Sequence, residues 1–127
     1  MSTEYLKTAV RAGMAAGQLI LGSYGKLKNS QIKVKTKNDF VTEVDKKSEA
    51  LILSVIKKRF PGHAFQAEES GCDGTSSDAL WVIDPLDGTA NYIHQFPMFS
   101  ISISIPEADL IFTFPSSITV ERKPETL

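Results

Sequence analysis

Three carboxylate positions are the residues best able to do chemistry in this chain. Asp84 and Asp87 stand three apart in Leu80-Trp81-Val82-Ile83-Asp84-Pro85-Leu86-Asp87-Gly88-Thr89, at the end of a run apolar enough to be a buried strand. A carboxylate there is costly unless something positive meets it. The motif holds no Lys or Arg, so the partner its chemistry calls for is a hard divalent cation, and all-oxygen ligands select Mg²⁺. A further acid comes from Glu68-Glu69, which follow the strand-like run from His63 to Ala67. Adjacent strands would bring one of the two beside Asp84, while its neighbour faces the other way. Either aspartate alone reads more simply as a turn residue. Together, at the mouth of a strand, they favour a metal.

The elements that must position these acids are legible from pattern. Pro85 biases Asp84 towards an extended conformation, Asp87-Gly88 suits a tight turn, and Thr89 is placed to cap a short helix through Asn91 and Tyr92. Backbone N–H groups at such a helix start suit phosphate. Upstream, residues 3–21 form a helix with Leu6, Val10, Gly13/Met14, Gly17 and Leu21 three or four apart and with small residues offering close packing. Residues 31–37 read as a short exposed strand or extended loop. Thr42-Glu43-Val44-Asp45 has capping-box spacing and opens a second helix, striped by Val44, Ser48, Leu51/Ile52, Val55/Ile56 and Phe60 and stopped by Pro61-Gly62. Residues 71–78 read as a polar loop. The unbroken apolar run 79–83 predicts a strand buried on both faces, and 99–105 alternates Phe/Ile with Ser as a half-buried strand should. These elements predict a layered α/β sandwich with both helices packed on a sheet of 63–67, 79–83 and 99–105.

Composition narrows the partners. With 127 residues, 42% of them hydrophobic, and a net charge of -1, the chain suits one globular domain with no basic surface for nucleic acid. The single cysteine, Cys72, excludes an internal disulfide and fits a reducing compartment. No apolar run has membrane-span length and no signal pattern opens the chain, so the expected location is cytoplasmic, with no membrane partner. Trp81 reads as core, His63 as a strand-edge residue and His94 as a loop histidine near the site.

Residues 81–92, Trp-Val-Ile-Asp-Pro-Leu-Asp-Gly-Thr-Ala-Asn-Tyr, resemble the signature of the inositol monophosphatase family of Mg²⁺-dependent, lithium-sensitive phosphatases. Ala67-Glu68-Glu69-Ser70, residues 39–45 and His94-Gln95-Phe96-Pro97 resemble its flanking motifs, in order, and the likeness runs from about residue 4 to 105. The resemblance implies the layered αβαβα sugar-phosphatase fold, of which this chain would hold the N-terminal half. It implies that Glu68, Asp84, Asp87 and the Leu86 carbonyl ligate one Mg²⁺, and that Asp84 and Asp87 share a second. Glu68 and Thr89 would orient the attacking water, supported by Asp45 and Thr42, while Asp87 and the backbone of Gly88 and Thr89 bind the substrate phosphate. The expected reaction is hydrolysis of inositol monophosphate to inositol and phosphate. Fructose 1,6-bisphosphate and 3'-phosphoadenosine 5'-phosphate are alternatives within the fold, and full-length members are expected to be homodimers.

The sequence departs from the family after Ile105. Members are about twice as long and carry a second Trp-Asp signature that completes the second metal site, whereas Trp81 is the only tryptophan here. Residues 1–105 thus read as the family domain's N-terminal part and 106–127 as a divergent tail, in which 110–114 admits a further strand tightly bounded by Pro106 and Pro115, and 121–127 reads as polar and disordered. A fragment and a change of reading frame both account for this. A truncated homologue that binds Mg²⁺ or a partner without turnover is the competing function. The three acids, Glu68, Asp84 and Asp87, are expected to converge within metal-ligating reach.

Overall fold

The computed structural model describes residues 3–36, 39–74, 79–106, 108–114 and 117–122. Helix α1 spans Thr3–Ser23, a hairpin follows as β1 (Ile32–Thr36) and β2 (Asp39–Thr42), and α2 spans Glu43–Arg59. Then come β3 (Ala64–Ala67), β4 (Gly71–Asp73), β5 (Leu80–Asp87), the short α3 (Thr89–Ile93), β6 (Phe99–Ile105), β7 (Ala108–Phe114) and β8 (Ser117–Arg122). The last six strands form one mixed sheet in the order β4-β3-β5-β6-β7-β8, in which only β3 and β5 run parallel. The result is a mixed α/β architecture. Both long helices pack side by side on the face that carries Trp81, Ile83, Ile101, Ile103 and Phe112.

Helix α2 begins as its capping box requires. The Thr42 hydroxyl accepts from the N–H of Val44 (3.1 Å) and Asp45 (3.3 Å), and Asp45 Oδ2 accepts from the Thr42 N–H at 2.9 Å. Helix α1 packs on the small-residue face expected of it, and only Met14 and Leu21 of its expected stripe are left out. Its buried face is Thr8, Ala9, Ala12, Gly13, Ala16, Gly17 and Ile20, while Met14 and Leu21 are exposed. Aromatic rings from β7 explain the preference for small residues. A Cβ on Gly13 would stand 2.1 Å from the Phe112 ring, and one on Gly17 2.5 Å from Phe114. Closeness of backbone to ring is what the glycines provide.

Three expectations need correction. Strand β5 is not buried on both faces: Trp81 and Ile83 are buried but Leu80 is 48% and Val82 37% exposed. Apolar continuity records that both faces avoid charge, not that both are covered. The expected polar loop at 71–78 contains β4, paired antiparallel with β3; residues 75–78 lie outside those described. Finally, the region after 106 continues the sheet: β7 covers the strand that 110–114 admitted, and β8 carries order into 121–122, part of the stretch expected to be disordered. β7 matches β6 residue for residue from Phe99↔Phe114 to Ile105↔Ala108, and Glu121 and Arg122 close β8. Its alternating Leu110, Phe112 and Phe114 complete the core beneath α1. Residues 123–127 fall outside the described part.

Candidate active site

The end of β5 is irregular, and that irregularity makes the site. Asp84 pairs with Ser102 and Asp87 with Ser100, so three steps on β5 match two on β6. In a regular strand, residues three apart face opposite sides. The extra residue at Pro85-Leu86 is a bulge, which turns both aspartates to one side. Gly88 then adopts φ 84°, ψ 38°, and a Cβ there would lie 2.9 Å from the Met98 carbonyl. Glycine is thus required twice, by conformation and by space. Gly88, not Thr89, is the N-cap of α3. The Thr89 hydroxyl instead reaches Asp45 Oδ1 (2.9 Å) and the Leu86 carbonyl (3.1 Å).

Beside this turn, the end of β3 is tied to β5 by the Glu68 N–H on the Ile83 carbonyl, at 3.3 Å. Glu68, Asp84, Leu86, Asp87, Gly88, Thr89 and Asp45 consequently line one cavity of about 240 Å³, and so does Glu69: both glutamates lie past the end of β3, so the expected opposition of neighbours in a strand does not hold. Thr42 lies behind it, its hydroxyl donating to Asp45 Oδ2 at 2.5 Å. Of the sequence-derived residues only His94 stands apart: it is exposed after α3 and outside the cavity lining. His63 is not a plain strand edge. It stacks on Phe60 and its Nδ1 accepts from the buried Trp81 indole at 3.0 Å.

The electrostatics is that of crowded acids. Burial, then the charges of Asp87 and Glu68, push the Asp84 carboxyl up to about 6. Burial also raises Asp45, against the hydrogen bonds from Thr42 and Thr89 that lower it. The donor set is all oxygen and suits a hard divalent cation. The side chains do not, however, close into a ligand set: among the described residues no three acidic, His or Cys groups stand close enough to enclose an ion. The convergence within ligating reach expected from sequence is therefore not seen among the described residues. The residues share a cavity and their chemistry fits the cation.

Three participants were not singled out from sequence. Lys35 of β1 reaches the cavity and pairs with Glu69 at 3.1 Å. Ser48, fully buried, donates to the Pro85 carbonyl at 2.8 Å. Glu49, 4% exposed, accepts from the N–H of Glu69 (2.7 Å) and Ser70 (2.9 Å). The available signal was their spacing: Asp45, Ser48 and Glu49 lie at i, i+3 and i+4, on one helix face.

Comparison with known proteins settles the family. The inositol monophosphatase family model matches residues 1–111. This chain belongs to the inositol monophosphatase family. A fructose-1,6-bisphosphatase/inositol-1-monophosphatase of Aquifex aeolicus is 44% identical over 106 residues, 84% of this chain and 40% of that protein. The Nus factor SuhB of Escherichia coli strain K12 is 48% identical over 101 residues, 79% of this chain and 38% of the relative. The crystal structure of extragenic suppressor protein suhB from Bartonella henselae superposes with a TM-score of 0.84 at 30% identity, covering 92% of this chain and 47% of that one. The chain thus spans about two-fifths of the length of these curated relatives, and the family match runs past Ile105 into β7.

Proposed function

We propose that the cavity at the ends of β3 and β5 binds Mg²⁺ and serves a phosphatase acting on a small phosphate monoester, with inositol monophosphate as the substrate. The observation that carries this reading is the β5 bulge, which turns Asp84 and Asp87 into one cavity with Glu68. Glu68, Asp84, Asp87 and the Leu86 carbonyl would hold the cation. Once bound, a cation there supplies a water of lowered pKa and offsets charge on the phosphoryl group.

The protein's own groups do the rest. Asp45, fixed by Thr42, takes the Thr89 hydroxyl proton in a hydrogen bond, which leaves the Thr89 lone pairs to accept from a water. Glu68, at the end of β3, would face the same water. The N–H groups of Gly88 and Thr89, at the start of α3, have no partners within the helix by position and would serve phosphate oxygens. The substrate name rests on the family and on the Aquifex relative, whose name includes both inositol monophosphate and fructose bisphosphate activities.

The test is phosphate release from inositol 1-phosphate by the 127-residue chain with Mg²⁺, beside its Asp84→Asn variant, with Mg²⁺ binding followed by calorimetry. Slow, Mg²⁺-dependent release lost in the variant is expected. Binding without release would leave a cation-binding role alone, and neither binding nor release would refute the reading.

A further inference from the structure

We infer that Glu49 is a positioning residue that sets Glu68 in the cavity by gripping the two peptide groups that follow it. This rests on the cation-binding reading above. Glu68 is held from both sides. Its own N–H is tied to the Ile83 carbonyl of β5, and the next two N–H groups, those of Glu69 and Ser70, are held by the two oxygens of Glu49. The grip is short, at 2.7 and 2.9 Å, and charge-assisted hydrogen bonds of that length are roughly twice as strong as neutral ones.

A carboxylate 4% exposed costs free energy to bury, and among the described residues no Lys or Arg forms a salt bridge with it. What it gains is the backbone turn out of β3. The neighbouring contacts on α2 share the pattern: Asp45 holds Thr89, Ser48 holds the Pro85 carbonyl, and Glu49 holds the chain after Glu68. One turn of one helix therefore touches every segment that supplies an acid to the cavity. Without Glu49, two N–H donors in a tight turn lose their acceptor, and the peptide that carries Glu68 loses its fixed direction.

Reciprocity gives the test. If the grip favours cation binding, cation binding favours the grip by the same factor. In the wild-type chain the Glu69 and Ser70 amides should exchange slowly for turn residues, and saturating Mg²⁺ should slow them several-fold further. Unchanged exchange on adding Mg²⁺ overturns the inference without any variant being made. In calorimetry, Glu49→Gln turns an amide NH₂ towards one of the two donors, and Mg²⁺ affinity should fall about tenfold, about 1.4 kcal/mol. In a Glu68→Gln background the same change should cost nothing further, because Glu49 acts through Glu68. An equal loss in both backgrounds would mean a general effect of charge or folding and would overturn the inference. Absence of Mg²⁺ binding in the wild type would instead refute the cation site itself.

Discussion

Asp84 carries the largest electrostatic stress near the cavity, and its pH dependence follows from the sign of its shift. The folded chain favours the protonated form, with the carboxyl raised to about 6. Its stabilising contribution is therefore complete below the ordinary carboxylate range and is lost as pH rises through about 6. Without divalent cations, the melting temperature should fall between pH 5 and pH 7, and Asp84→Asn should flatten that fall. Thermal melts at fixed ionic strength check this; an unchanged slope in the variant would show that Asp84 is not the group responsible. Protons and Mg²⁺ compete for the same oxygens, so Mg²⁺ affinity should weaken below about pH 6. Gly88 is the other residue with a firm expectation. Its φ of 84° and the Met98 carbonyl 2.9 Å from a Cβ make Gly88→Ala destabilising by about 1–3 kcal/mol, measurable by urea unfolding.

At the scale of elements, the seating of α1 on β7 gives a sharp contrast between two glycines of one helix. Gly13→Ala drives a methyl group into the Phe112 ring and should cost about 1–3 kcal/mol. Gly22, in the last turn, has open space around it and should gain up to about 1 kcal/mol from the same change. Equal effects in denaturant titrations would contradict the packing. The same elements show what was legible beforehand. The capping box of α2 and the alternation of β6 are local patterns, and local hydrogen bonding or burial obeys them. The small-residue face of α1 is legible in the sequence, but the exposure of Met14 and Leu21 is not, because the rings that select that face, Phe112 and Phe114, lie about a hundred residues away. The capping role expected of Thr89 falls to Gly88, whose left-handed backbone takes the cap, a fact of backbone geometry rather than residue type. Lys35, Ser48 and Glu49 were missed for a similar reason: each acts on a segment remote in sequence.

At the scale of the whole molecule, a two-helix layer covers one face of the sheet, and Leu80 and Val82 are exposed. Exposed apolar side chains on strands favour association. Sedimentation should show concentration-dependent self-association, reduced by Leu80→Gln with Val82→Thr; an unaltered profile would place the association elsewhere. The family and the three central strands were legible because their patterns are contiguous, whereas β4 and β8 at the two edges of the sheet were not, since edge pairing depends on neighbours that local pattern does not name. The central claim is that Glu68, Asp84 and Asp87 together hold a divalent cation, while Glu69, in the same cavity, is engaged by Lys35 instead. Isothermal titration of Mg²⁺ into the wild type, Asp84→Asn, Asp87→Asn and Glu69→Gln tests it most directly. The account predicts saturable binding of about one Mg²⁺ per chain, abolished in both aspartate variants and retained in Glu69→Gln; an equal response from all four proteins would contradict it.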